Sequence, residues 1–126
     1  MQDSVRRVLQ ESESLQGSLP PAAALREWNY LLAWQLRIWQ DLPSCIATAT
    51  SDDSSPVSGV AADLVRCTGG FLRNATAVGA ASATVDPQAL FELITAVAWA
   101  IDRFGDDAEQ ARERVDLATA GVFRTP

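Results

Sequence analysis

Between Ala22 and Asp41 the apolar residues fall on two lines at once. Leu25, Trp28, Leu32, Leu36 and Trp39 recur at three-to-four spacing, and Leu31, Trp34, Ile38 and Leu42 repeat the pattern beside them. A period near 3.6 residues predicts an α-helix, and two apolar faces predict a helix enclosed by neighbours. The rest of the chain must then supply elements to surround it.

Those elements are also helical. A first helix is expected over about Asp3–Gln16, with Val5, Val8, Leu9 and Leu15 on one side and Gly17 and Pro20-Pro21 punctuating its end. A third is expected from Pro56, capped by Ser55, with Val57, Val60, Ala61, Leu64, Phe71, Ala75 and Val78 inward and Gly79 as a left-handed C-cap. Within it, Gly69-Gly70 costs about 1 kcal/mol per glycine relative to alanine. The pair reads either as close packing or a kink, or as backbone approach to a ligand. Asp86-Pro87 opens a fourth helix, ended by Gly105, with Leu90, Ile94, Val97, Ile101 and Phe104 on its first stripe. Asp106-Asp107-Ala108-Glu109 then reads as a capping box before a fifth helix running to about Phe123, with Ala111, Val115, Ala118 and Val122 inward. Pro43–Ser55 reads as an exposed loop with a possible helical turn around Ser44–Ala49. No segment reads as a strand. Alanine is the commonest residue and every basic residue is Arg, a further helical bias.

The last two helices, joined by one or two residues, are expected to form an antiparallel hairpin. Each keeps a second apolar face: Ala89, Ala96, Trp99 and Ala100 on one, Leu117, Ala120 and Gly121 on the other. Five helices in one chain cannot cover both, unless the first helix lies over them. Small residues allow close helix approach, so Ala96, Trp99, Ala100, Leu117, Ala120 and Gly121 are the expected interface of a homodimer. Two hairpins related by a two-fold axis would make a four-helix bundle. The fold class is therefore all-α, five to six helices, in one domain over residues 1–126.

Charge and chemistry narrow the function. The net charge of −6 opposes binding to a phosphate backbone by this chain itself. Histidine is absent, which removes the commonest general base and metal ligand, and no acid–base pair or nucleophile constellation replaces it. Neither catalysis nor a metal or other cofactor is expected. Cys45 and Cys67 read as buried reduced thiols. The N-terminus lacks a signal-peptide core, and the apolar stretch Leu31–Trp39 is too short to span a bilayer. A cytoplasmic location follows, and Asn74-Ala75-Thr76 is a chance glycosylation match.

The second half of the chain has an ordered set of phrases: Ala77-Val78-Gly79 closing one helix, Thr84-Val85-Asp86-Pro87 opening the next, Gly105-Asp106-Asp107 between the last two, and Val115-Asp116-Leu117-Ala118-Thr119-Ala120-Gly121 near the end. This combination resembles the C-terminal domain of the TetR family of bacterial transcriptional repressors. The likeness covers about residues 56–124; in 1–42 it rests on helix lengths and the Pro21-Ala22-x-x-Leu25-Arg26 start of helix two. The resemblance implies a dimeric sensing domain for a small effector. The family's N-terminal helix-turn-helix, and with it the DNA contact, has no counterpart in this sequence. The chain then reads either as a regulatory domain from a longer protein, which is the reading adopted, or as a natural short form.

By that resemblance, an apolar or aromatic effector with one or two hydrogen-bonding groups is expected among Trp28, Leu32, Gln35, Trp39, Thr68, Phe71 and Ile94, with Asn74 and Thr95 as further polar candidates. A Trp stripe at helical spacing is, however, more often plain core than pocket wall. The rival function is a helical dimerisation or adaptor module without a ligand.

Overall fold

A computed structural model describes residues 2–38 and 56–124 of the chain. Five helices occupy them: α1 (Gln2–Ser18), α2 (Pro21–Ile38), α3 (Pro56–Ala77), α4 (Pro87–Phe104) and α5 (Ala108–Thr119), the last continued by a 3-10 turn over Ala120–Val122. No strand occurs among the described residues; one isolated bridge joins Ala81 to Phe123. No described helix is long and apolar enough to cross a membrane.

The two-faced helix is central, since α2 packs against each of the other four. Its buried residues are Ala24, Leu25, Trp28, Asn29, Leu32, Ala33 and Leu36, which at about 100° per residue fill one half of its circumference. The second apolar line behaves differently. Leu31 and Trp34 are only half-buried and Ile38 is 53% exposed. A cation–aromatic layer covers that side instead. Arg112 of α5 pairs with Glu27 at 2.6 Å and lies over the Tyr30 ring at 4.1 Å. Tyr30 stacks on Trp34, and the Arg37 guanidinium lies over the Trp34 ring at 3.5 Å. Such a layer keeps one edge in water, so two apolar stripes do not here mean two sealed faces. Trp39, Leu42, Cys45, the turn around Ser44–Ala49 and the Ser55 cap lie outside the described residues.

Helix ends follow local chemistry. Gly79 and Gly105 are the two glycines with positive φ, 75° and 65°, and both close a helix in the same way. The N–H groups of Gly79 and Ala80 return to Thr76 and Ala75, and those of Gly105 and Asp106 return to Asp102 and Ile101, which satisfies orphan carbonyls. Asp86 caps α4 through the Ala89 N–H, with Pro87 in the first turn. The capping box of α5 sits one residue later than the sequence pattern implies. Asp107 and Gln110 form it reciprocally at 2.8 and 3.0 Å. Asp106 cannot serve as that cap, because its N–H closes α4 and its carboxylate holds Arg114 in two hydrogen bonds. That grip pulls the Asp106 carboxyl below its ordinary pKa. Three residues, Gly105–Asp107, thus separate α4 from α5, rather than one or two.

Other departures are small. Gly17 lies inside the last turn of α1. Val78 and Phe104, expected to face inward, are 62% and 64% exposed: Val78 falls in the turn that Gly79 closes, and Phe104 ends α4 beneath the Arg114 guanidinium. Cys67 is half-buried beside Ser12 rather than sealed, and partial burial pushes its thiol pKa up.

Candidate functional site

Trp28, Thr68 and Phe71, named from sequence, come together where α2 meets α3. Trp28 Nε1 donates to Thr68 Oγ1 at 3.0 Å, and Thr68 Oγ1 donates to the Leu64 carbonyl at 2.8 Å. Trp28 stacks on Phe71 with centroids 5.1 Å apart. The indole N–H and the threonine hydroxyl proton are therefore already used inside the protein. Leu32 and Ile94 are fully buried, Gln35 is half-buried, and Thr95 donates to its own helix at Phe91.

A cavity of about 290 Å³ opens beside the buried Phe71. Gln16 contributes from the end of α1 and Leu19 from just beyond it, Pro21 and Ala24 from the start of α2, and Phe71, Asn74 and Ala77 from the end of α3, with Val78 from the turn that follows. No lining residue is ionisable. Of the sequence-named candidates, Phe71 and Asn74 reach it; Trp28 backs its wall through Phe71. Gln16, Leu19, Pro21 and Ala24 were not foreseen. The sequence signal for Gln16 was the glycine pair. A Cβ on Gly70 would stand 3.3 Å from Gln16 Nε2, and one on Gly69 would stand 3.4 Å from the Pro87 ring. Both glycines thus admit close neighbours, α1 on one side and the start of α4 on the other.

Asn29 is a second feature that sequence reasoning missed. It is fully buried on α2, and neither its Nδ2 nor its Oδ1 has a hydrogen-bond partner. Arg37 Nε is also unpaired, but its guanidinium stacks on Trp34; Asn29 has no such compensation.

The outer side of α4 and α5 is open. Trp99 is 58% and Leu117 81% exposed, and Ala96, Ala120 and Gly121 are exposed beside a half-buried Ala100. α1 packs on α2 and α3 and leaves these residues uncovered. Leu93, Ala89 and Leu90 of α4 share a groove of about 380 Å³ with Ala118, Gly121 and Val122, so the end of α5 lies beside the start of α4. The linker is held there by the chain end: Ser82 N–H donates to Val122, Arg124 N–H donates to Ala80, and Arg26 covers the Phe123 ring.

Residues 20–123 match the sequence profile of the C-terminal domain of SbtR-like transcriptional regulators, a TetR-type domain. The chain belongs to this family. Its match spans α2 through the 3-10 turn, taking in the central helix, the open face and the cavity wall apart from Gln16 and Leu19. C-terminal domains of TetR regulators are regulatory rather than catalytic, and they generally dimerise and bind small-molecule effectors. No curated protein and no solved structure matches the chain.

Proposed function

We propose that this TetR-type domain senses a small effector in the cavity between α1, α2 and α3 and pairs with a second copy of itself through the outer face of α4 and α5. The observation that carries the sensing role is the cavity itself: three helices meet around it, no ionisable side chain lines it, and its volume is near the lower end for small-molecule sites. A ligand there touches the end of α1 as well as α2 and α3, so its binding free energy depends on how α1 lies against the other two. In a longer protein carrying a DNA reader ahead of α1, that dependence would convert effector binding into a change of operator affinity.

The pairing role is supported by Trp99, Leu117 and the small residues around them, which no described element of the same chain covers. Ala96, Ala100, Ala120 and Gly121 allow a partner helix to come close, and the two large side chains supply the apolar area.

A thermal-melt panel of neutral aromatic metabolites tests the sensing role. An effector that binds the folded state raises the melting temperature by mass action, and the rise grows with ligand concentration. If no compound in a broad panel moves the melt, the adaptor reading, a dimerisation module without a ligand, takes its place.

A further inference from the structure

We infer that the α1–α2–α3 cavity is built for a neutral ligand that presents an amide-type edge, a hydrogen-bond donor beside an acceptor. The inference deepens the effector reading above and rests on it.

The polar groups facing the cavity are two carboxamides, Gln16 from α1 and Asn74 from α3. A carboxamide offers a donor and an acceptor side by side, and its natural complement is another group of the same kind. Gly70 brings the two together. Because residue 70 has no side chain, the Gln16 amide rests against the α3 backbone there, its Nε2 3.3 Å from where a Cβ would stand. Asn74 follows four residues later, so it lies one turn along the same face of α3. The glycine that looks costly in a helix thus sets one carboxamide a single turn from the other.

The remaining walls select against charge. Phe71, stacked on Trp28 with centroids 5.1 Å apart and 1% exposed, closes the floor of the cavity with apolar surface. An ionised ligand would lose hydration against Leu19, Ala24 and Phe71 with no counter-charge in the lining to offset the loss.

Calorimetric titration of the intact protein with three probes of one ring size tests this: benzamide, benzoate and toluene. Benzamide should bind most tightly, toluene more weakly and benzoate least. Asn74→Leu, at an exposed position, should weaken benzamide by about three- to tenfold, the worth of one hydrogen bond, and leave toluene unchanged. Gly70→Ala, which displaces the Gln16 amide, should also weaken benzamide selectively. Binding of benzoate or toluene as tight as that of benzamide, or benzamide affinity unchanged in Asn74→Leu, would overturn the amide-edge assignment and leave the effector reading standing. Failure of all three probes also overturns it; joined to a flat response across the metabolite panel, it removes the effector reading too.

Discussion

Trp28 and Trp99 carry the same side chain on helices of the same length, 18 residues each, yet one is fully buried and the other 58% exposed. What separates them is the surface opposite. Trp28 meets a ring to stack on and a hydroxyl for its N–H. Trp99 lies on a flank of α4 that no described helix of the same chain covers. A tryptophan at helical spacing therefore says that a face must be covered, and leaves open whether the cover is this chain or another. The inner seam contributes to the stability of the fold, and the outer face is the surface proposed for association.

The largest test of that contrast is a pair of truncations. Trp28→Ala should cost about 3–5 kcal/mol in denaturant unfolding, through lost burial and the cavity it leaves. Trp99→Ala should change the stability of the monomer by less than about 0.5 kcal/mol. Equal costs would erase the distinction between the two regions. Next in size is Asn29→Leu, expected to stabilise the fold by about 1–3 kcal/mol, because it removes a buried amide whose donor and acceptor are both unpaired; a lower melting temperature would show that the amide has a partner. Asp107→Ala, which removes the cap of α5 beneath the open face, should cost about 1 kcal/mol, read as a shift of the denaturation midpoint. Smallest is a pH effect. Arg114 holds the Asp106 carboxyl below its ordinary value of 3.8, so its contribution is present at neutral pH and fades as the pH falls through 3.8 toward the lower folded value. The wild-type melting temperature should fall more steeply below about pH 4 than that of Asp106→Asn.

Periodicity and capping residues made the helices legible. Pro56, Asp86-Pro87, Gly79 and Gly105 each mark a helix end for a reason that is local to the backbone, and each does so in the fold. Asp106 and Asp107 show where local reading stops: both are good caps, and the choice between them was made by Arg114, eight residues from Asp106. The second face of α2 failed in a similar way, since the Arg112–Tyr30 contact that covers it joins residues far apart in sequence. The cavity was half legible. Phe71 and Asn74 are legible on α3 as a bulky aromatic and a polar group able to orient a ligand from the same faces. Gln16 and Leu19 are not, because only the packing of α1 on α3 brings them there. Gly70 was the one trace of that packing in the sequence, and it was consistent with two meanings.

The account's central claim is that the outer face of α4 and α5 is the surface on which two copies of this domain meet. Sedimentation equilibrium measures it directly, with the wild type and Leu117→Glu compared over the micromolar range. Leu117 is 81% exposed, so its substitution should leave the monomer folded while placing a charge on an apolar interface. The account predicts a wild-type mass of two chains and a dissociation constant raised at least about tenfold in Leu117→Glu, the scale of an interface anchor. A wild type that sediments as a single chain at high micromolar concentration, or a dimer indifferent to the charge at position 117, would contradict it.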